Sequence, residues 1–325
     1  MPLLLTFVFL LLGIVTELPL QGSTLKFEGH EKQIKAPFVV YADFECKLVP
    51  VGDGTDEAAK TKKKHQHVPS SFAYLIKCSF DESLDHLEVY RGEECGPKFV
   101  KGLTEKIKDL YETHVFNRYV PLVMSAEEEK EFKNCTTCFI CKKDITDPSE
   151  KARDHCHITG KYRGCAHIDC NIKYRLKHEV PVIFHNFSKY DAHLFIKELT
   201  ELESDQNIKI IPSNTETYIS VAKSVKLQST GEAPSKKQKT DKVKQVYLNI
   251  VFKDSFRFLS ASIDALSKSL DPSTDFKNLE KHFPVNSGML KRKGRFNLFN
   301  LYLYIFLIMV LTFLFYIILY RCISI

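Results

Sequence analysis

Four side chains near the middle of the chain have the types and the spacing of a structural zinc site. Cys138 and Cys141 form a C-x2-C pair, and His167 and Cys170 form an H-x2-C pair further along the chain. A two-residue spacing lets both side chains of a pair point to one metal ion, and two such pairs supply the four ligands of tetrahedral zinc. The sequence therefore predicts a zinc ion held by these four residues.

Cysteine usage favours a metal site over a disulfide framework. Six of the ten cysteines lie between residues 135 and 170, whereas the disulfides of small secreted domains are spread along the chain. Clustered C-x2-C pairs mixed with histidine in a longer chain are typical of metal binding in a reducing compartment. The ligand set has alternatives, because Cys135 with Cys138 forms a competing pair and His155 and His157 are further candidate ligands.

A second set of candidate metal ligands consists of acidic residues. Asp43 and Glu45 lie in the apolar stretch FVVYADFECKLV, where strand alternation places both on one face and Phe44 on the other, in the core. Two carboxylates on a buried strand repel each other and lose hydration, so a cation is expected to compensate. Asp191 is a third candidate ligand, and it lies at the junction between a predicted strand and the helix that follows. Three such carboxylates predict Mg²⁺ or Mn²⁺ and two-metal phosphoryl transfer.

Predicted strands and helices alternate around these groups. Strands are predicted at 36–49, 70–80, 84–92, 180–187, 208–227 and 244–256, and helices at 98–111, 125–133, 188–199 and 260–270, with Ser125 and Ser260 as N-caps. This alternation predicts an α/β domain. The Cys/His segment interrupts it, so we expect an α/β domain in two parts, 35–126 and 179–294, and a small zinc module at 127–178.

Charge and composition admit nucleic acid as a partner without requiring it. The 325 residues carry a net charge of +6, and 44% of them are hydrophobic and 26% charged, as in an ordinary globular protein. A mild basic excess permits binding to nucleic acid, and a basic loop on a near-neutral body accounts for it equally well.

Three stretches resemble motifs of protein-primed family B DNA polymerases, of the Polinton/Maverick transposon or viral type. FVVYADFEC and HNFSKYDAHLF resemble the first two exonuclease motifs, and FKDSFRFLSASIDAL resembles the motif that binds single-stranded DNA. The resemblance extends over residues 35–294 and implies a ribonuclease H-like 3′–5′ exonuclease fold. It identifies Asp43, Glu45 and Asp191 with the carboxylates that bind Mg²⁺ or Mn²⁺.

The same resemblance implies contacts with DNA. Asn186 and Tyr190 match the residues that hold an unpaired primer end. Ser255 and Phe256 match residues on single-stranded DNA, with Phe256 where leucine is usual. Amide and aromatic groups suit this role, because hydrogen bonding and stacking hold a single strand. The implied partners are a single-stranded 3′ end, a primer-template and a terminal protein, and the implied location is the nucleus.

One departure from the polymerase family limits the predicted function. The third exonuclease motif, Tyr-x3-Asp, is expected after Leu270, and the likeness stops at GMLKRKG. The polymerase palm with its own catalytic aspartates is not recognised either. The leading prediction is therefore a polymerase fragment of transposon origin, with two exonuclease motifs and without the means to synthesise DNA by itself.

The stretch RDHCHITGKYRGCAHIDCN, residues 153–171, resembles the zinc-bound ββα nuclease module of recombination endonuclease VII. This resemblance implies that Asp154 and Asn171 bind Mg²⁺ and that His155 is the general base. His167 replaces the usual cysteine, a change that zinc accepts. Phosphate contacts are predicted for four side chains of this stretch and the residues after it, Lys161, Tyr162, Arg163 and Lys173. Two interpretations stay open: an inactive DNA-contacting insert, which we favour from the sequence, and a nicking endonuclease.

The predicted terminal units, 1–34 and 295–325, each contain an apolar segment. Residues 3–15 resemble the apolar part of a signal peptide, and residues 301–320 are uncharged over a length that can cross a bilayer. The alternative for the second segment is translated non-coding DNA, because Phe, Leu, Ile, Tyr and Asn dominate its composition. A genuine anchor gives a third hypothesis, an inactive nucleic-acid-binding remnant attached to a membrane.

Overall fold

The structure is a computed structural model that describes residues 29–30, 33–51, 64–201, 208–229, 245–270 and 276–285. Both terminal apolar segments and the lysine-rich stretch at 230–244 fall outside these ranges. Within them, no helix has the length and apolar character needed to cross a membrane.

Seven strands of the described chain form one mixed sheet, and two more form a separate hairpin. In chain order the strands are β1 (Phe38–Pro50), β2 (His65–Cys78), β3 (His86–Arg91), β4 (Lys151–His155), β5 (Tyr162–His167), β6 (Glu179–Phe184), β7 (Ile208–Pro212), β8 (Tyr218–Lys226) and β9 (Tyr247–Asp254). The large sheet has the order β3-β2-β1-β6-β9-β8-β7, in which β1, β6 and β9 are parallel and the other neighbours antiparallel. The mixed sheet with its helices confirms the predicted α/β class.

Helices join the strands and cover both faces of the large sheet. In chain order they are α1 (Cys95–Tyr111), α2 (Ala126–Asn134), α3 (Ile168–Lys173), α4 (Ala192–Glu201), α5 (Ile263–Lys268) and α6 (Lys277–His282). Helices α1 and α4 share one hydrophobic core with the sheet. On the opposite face, Ile263 of α5 packs near Tyr41 of β1.

Aromatic side chains dominate the core beneath α1 and α4. The ring of Phe44 lies 4.8 Å from that of Phe99, 5.5 Å from that of Phe195 and 6.3 Å from that of Phe184, measured between centroids. Strand alternation therefore directs Phe44 into this core, as the sequence predicts, and leaves Asp43 on the face that also carries Tyr41.

The β4–β5 hairpin and helices α2 and α3 form a small module between α1 and β6. Its own core contains six buried residues, Phe132, Cys138, Ile140, Ile145, Cys165 and Ala166. Helix α2 begins with a capping box between Ser125 and Glu128, which confirms the predicted cap. Gly164 of β5 has φ +152°, and a Cβ there would lie 2.8 Å from the ring of Phe139. Only glycine lets the hairpin approach that ring so closely.

The second strand begins earlier than the sequence predicts, and the first ends one residue later. β1 continues to Pro50 and β2 begins at His65, with Leu48 opposite His67. A bulge between Glu45 and Cys46 separates this outer part of the pair from the part inside the sheet. The polar, Gly- and Lys-rich composition of residues 50–66 predicts a loop, and cross-strand pairing overrides it at His65 and Gln66.

Three predicted element boundaries are wrong for reasons that the contacts explain. The N-cap of α5 is Ser262 rather than Ser260, because the Ser262 hydroxyl accepts the N–H of Ala265. Strand β6 ends at Phe184 and α4 begins at Ala192, so residues 185–191 form a loop. Asn186 in that loop has φ +75°, which neither a strand nor a helix can contain.

We expect Phe99→Ala to destabilise the protein by about 3–5 kcal/mol, because Phe99 is fully buried among several rings and its loss leaves a cavity. Phe258→Ala is the matched control, since Phe258 is 66% exposed. Denaturant unfolding of the full chain measures both. Similar free energies of unfolding for the two variants would contradict the described packing.

Candidate functional site

The four predicted zinc ligands converge in the module. One ligand atom from each of Cys138, Cys141, His167 and Cys170 lies within 4.8 Å of those of the other three. His167 Nδ1 is 3.5 Å from the sulfur of Cys141 and 3.8 Å from that of Cys170. Across the described ranges, no other group of three or more His, Cys, Asp and Glu side chains meets in this way.

Local backbone geometry directs these side chains to one point. The N–H of Cys138 donates to the carbonyl of Lys143 (2.9 Å), and the N–H of Lys142 donates to the carbonyl of Cys138 (2.9 Å), which closes a tight turn. His167 ends β5 and is the N-cap of α3, so its spacing to Cys170 is that of a helical first turn. Its Nε2 lies 3.2 Å from the carbonyl of Asp144, which leaves Nδ1 for a metal.

The protonation of the thiols also fits a cation. Burial opposes ionisation of Cys138, yet backbone N–H groups around it, including those of Cys141 and His167, lower its pKa to about 7. Burial and the neighbouring thiols of Cys141 and Cys138 raise the pKa of Cys170 to about 12. Several thiolates at one point repel one another, so a zinc ion would be needed to stabilise them together.

The alternative ligands lie outside this group. Cys135 donates its S–H to the carbonyl of Thr137 at 3.1 Å. The rings of His155 and His157 lie next to each other, with centroids 4.7 Å apart, and neither belongs to the four-ligand group. The geometry therefore favours the set that includes Cys141 and His167.

Asp154, a predicted magnesium ligand, is buried on β4 and paired with Arg163 of β5. Arg163 Nε donates to Asp154 Oδ2 (2.5 Å) and Arg163 Nη2 donates to Oδ1 (2.9 Å). The guanidinium also lies 4.8 Å from the centre of the Tyr174 ring. Burial raises the pKa of Asp154, although Arg163, His155 and His157 act in the opposite direction.

The other predicted nuclease residues lie close by in the fold of the module. His155 follows Asp154 in β4, opposite a bulge at Arg163 of β5, and its Nε2 is buried with no hydrogen-bond partner in the described chain. Asn171 is half-buried on α3, directly after Cys170. Lys161 and Lys173 are exposed, whereas Tyr162 is half-buried.

The acidic residues form a second group on the large sheet, with Asp43 and Glu45 on the inner strand β1 and Asp191 in the loop after β6. Burial raises the pKa of Asp43 well above its usual range, and the charges of Asp191 and Glu45 raise it further. Burial likewise raises the pKa of Asp191 to about 8, against hydrogen bonds from the N–H groups of Asp191 and Phe44. Asp191 Oδ1 is buried without a hydrogen-bond partner among the described residues. The carboxylates thus act on one another, although they do not converge as closely as the four zinc-type ligands.

Asp254 is a buried acid that the sequence prediction missed. Its carboxylate accepts the N–H groups of Asn186 (2.9 Å), Ser188 (3.0 Å) and Phe256 (2.9 Å). These bonds fix the loop that leads to Asp191. An aspartate at the carboxyl end of a parallel strand is a known signal for a site at that sheet edge, and it was available in the sequence.

The predicted DNA-binding residues surround this loop. Tyr190 Oη is 2.7 Å from Nδ1 of His67, a residue of β2 that the sequence did not single out. Ser255 is only 1% exposed, and its hydroxyl donates to the carbonyl of Phe184 (3.0 Å) and lies 3.0 Å from His185 Nδ1. Phe256 is half-buried against the His185 ring. Their contact with DNA stays a prediction.

Comparison with known proteins gives one family match, to part of the chain. A family model described as recombination endonuclease VII matches residues 116–190. No curated protein and no solved structure matches the chain. The match implies a DNA-binding nuclease module of a zinc-binding family, and it extends beyond the predicted limits of 127–178 at both ends. Nothing in the comparisons supports a family B polymerase or an exonuclease domain.

We expect the full chain to bind one equivalent of zinc through the module, and Cys138→Ser to lose it, because a tetrahedral site with three ligands is open to solvent. Cys135→Ser is the matched control and is expected to keep the zinc. Metal content after dialysis, measured by atomic emission, tests both variants. Loss of zinc from Cys135→Ser with retention in Cys138→Ser would reverse the assignment.

The raised pKa of Asp191 predicts how stability changes with pH when no Mg²⁺ or Mn²⁺ is added. The folded protein keeps a proton that the unfolded chain releases near its ordinary value of 3.8. The stabilising effect is therefore complete below that value and is lost as the pH rises towards 8, at about 1.4 kcal/mol for each unit of difference. Asp191→Asn is expected to flatten this decline by more than about 1 kcal/mol between pH 4.5 and 8.

Denaturant unfolding at several pH values measures this decline. Asp264→Asn is the control, because Asp264 pairs with Lys268 on the surface of α5. If Asp191→Asn and Asp264→Asn follow the same pH dependence, the carboxyl of Asp191 is not held in its neutral form.

Proposed function

We propose that residues 116–190 form a DNA endonuclease of the recombination endonuclease VII type, with a structural zinc ion and a catalytic Mg²⁺ or Mn²⁺ ion. The observation that carries the proposal is that the family match covers the same residues in which four zinc-type ligands converge. The three elements of a ββα nuclease follow in order within this range, as β4, β5 and α3.

The zinc site would hold the two halves of the module in a fixed position relative to each other. His167 ends β5 and Cys170 lies in α3, while Cys138 and Cys141 belong to the turn after α2. A zinc ion bound to all four would fix α3 against the hairpin. Asn171, the residue after Cys170, would then keep its position relative to the end of β4.

His155 is the proposed general base. Its Nε2 makes no competing hydrogen bond within the described residues. Once the ring turns towards bound DNA, this buried nitrogen would accept the proton of a water molecule that attacks phosphorus. The bond from phosphorus to one bridging oxygen then breaks and leaves a nick. Asp154 and Asn171 supply the oxygen ligands that a hard divalent cation prefers. That cation, when bound, would stabilise the charge on the phosphate.

A second candidate function belongs to the α/β domain. We propose a ribonuclease H-like exonuclease fold, because β1 to β3 form an antiparallel meander and β6 and β9 continue the sheet parallel to β1. The specific support is that Asp43, Glu45 and Asp191 are near enough to perturb one another's ionisation. Such a group would hold Mg²⁺ or Mn²⁺ beside a single-stranded 3′ end. DNA synthesis is not included, since no comparison supports a polymerase domain.

We expect the full chain with Mg²⁺ or Mn²⁺ to nick covalently closed DNA that contains a branch, and His155→Ala to lose at least about a hundredfold of that activity, as removal of a general base does. Closed DNA has no ends, so an exonuclease cannot act on it. Gel electrophoresis of the nicked product measures the rate. His86→Ala, on strand β3 of the large sheet, is the control and should remain active.

The same variants separate the two candidate functions. The second candidate would be supported if the wild-type protein shortens a labelled oligonucleotide from its 3′ end. Asp191→Asn should then lose this activity, and His155→Ala should keep it. Absence of nicking by zinc-loaded wild-type protein on branched closed DNA would overturn the endonuclease proposal.

A further inference from the structure

The ion pair between Asp154 and Arg163 occupies both oxygens of the carboxylate that the proposed endonuclease needs for its cation. The Asp154 side chain is 2% exposed and that of Arg163 is 27% exposed. A buried carboxylate requires a compensating positive charge, and here the guanidinium supplies it. Because the Asp154 side chain is so buried and the guanidinium covers both of its oxygens, a divalent cation can reach this carboxylate only when Arg163 withdraws. Arg163 and a divalent cation therefore compete for Asp154.

Arg163 is placed so that it can leave this carboxylate without losing its other support. Its guanidinium lies over the ring of Tyr174, which follows α3, and part of it reaches solvent. A planar guanidinium that makes two parallel hydrogen bonds to a carboxylate can make the same two bonds to a phosphate. The chemical group that fits the exposed side of Arg163 is therefore a phosphodiester.

A neighbouring pair shows what an ordinary ion pair in this module looks like. Arg153 of β4 binds Glu129 of α2 with Nη2 2.7 Å from Oε1, and both side chains are partly exposed, at 42% and 35%. Its guanidinium lies over the ring of Phe132. Like the Asp154–Arg163 pair, this pair joins a guanidinium to a carboxylate and has an aromatic ring beside the guanidinium. It differs in burial, and Glu129 is not a proposed metal ligand.

We propose that Arg163 is a positioning residue that holds Asp154 in the absence of DNA and exchanges it for the phosphate of the substrate, so that the divalent cation binds Asp154 only when DNA is present. The inference rests on the proposed endonuclease function of the same site. Charge is balanced in both states. Without DNA the carboxylate pairs with the guanidinium, and with DNA the carboxylate pairs with the metal and the guanidinium with the phosphate.

This exchange makes the binding of DNA and of the cation interdependent. Because coupling between two ligands is reciprocal, DNA must raise the affinity for the cation by the same factor by which the cation raises the affinity for DNA. Removal of the guanidinium must abolish most of that factor, because the carboxylate is then open to the cation at all times.

The experiment measures Mn²⁺ binding to the zinc-loaded full chain by electron paramagnetic resonance, with and without a branched oligonucleotide that phosphorothioate linkages protect from cleavage. The Asp191→Asn background removes the acidic group of the α/β domain as a second Mn²⁺ site. We expect branched DNA to tighten Mn²⁺ binding at least about tenfold, which corresponds to about 1.4 kcal/mol, and Asp154→Asn to remove this effect.

Arg163→Gln is expected to bind Mn²⁺ at least about tenfold more tightly than its parent without DNA, and to show little further change when DNA is added. Arg153→Gln is the matched control and should behave like the parent. Zinc content shows whether each variant keeps the folded module. If Arg163→Gln does not fold, the effect of DNA on the parent protein and on Asp154→Asn still decides the question.

Two results would overturn the inference: unchanged Mn²⁺ affinity of the parent when DNA is added, or equal Mn²⁺ affinity of folded Arg163→Gln and its parent without DNA. Either would mean that the ion pair is permanent and that Asp154 is not a metal ligand. Because these measurements do not depend on cleavage, they are separate from the nicking assay. If DNA tightens Mn²⁺ binding but the protein does not nick DNA, the proposed endonuclease function would be wrong and the exchange at Arg163 would still be supported.

Discussion

Buried negative charge is the constraint on which the candidate sites of this protein depend. A carboxylate or thiolate removed from water needs a cation, a set of hydrogen-bond donors or a proton. Four acids of the candidate sites meet this need in three ways. Asp154 pairs with a guanidinium, Asp254 accepts three backbone N–H groups, and the carboxyls of Asp43 and Asp191 are held towards their neutral forms. Only the last of these arrangements relies on a proton, which a metal cation could replace, and it coincides with the group that the sequence assigns to metal binding.

The arrangement around Asp254 explains how the large sheet positions the acidic group. Its carboxylate at the end of β9 binds the N–H groups of Asn186 and Ser188, which follow the neighbouring parallel strand β6. The two strand ends and their loop are thereby fixed together. Because the loop leads directly to Asp191 and α4, the position of Asp191 relative to β1 depends on an acid that does not itself need a metal.

The sequence spacing of the Cys and His residues predicted which side chains would meet at one point. Contacts between residues on different strands could not be predicted in this way. The two-residue spacings predicted the convergence of Cys138, Cys141, His167 and Cys170, because each pair lies within a single local turn. The pairing of Asp154 with Arg163 was not foreseen, since it depends on the register of β4 against β5 and on the bulge at Arg163. His67 was missed for a similar reason. It reaches Tyr190 only because β1 and β2 remain paired beyond the bulge at Glu45, where the composition up to Gln66 predicts a loop.

The module is inserted at a point where its two ends meet, and this explains how one chain holds two separate candidate sites. Tyr111, at the end of α1, has its hydroxyl 3.1 Å from Nδ1 of His178, the residue before β6. The ring of Phe116 lies against the same histidine, with centroids 5.7 Å apart. An insertion whose ends are adjacent does not disturb the parallel pairing of β1 with β6. The module has its own core and its own ligand cluster. Its nuclease residues and the acidic group of the large sheet therefore lie in different parts of the fold, which are joined where Ile158 of the module packs into the core of the large sheet.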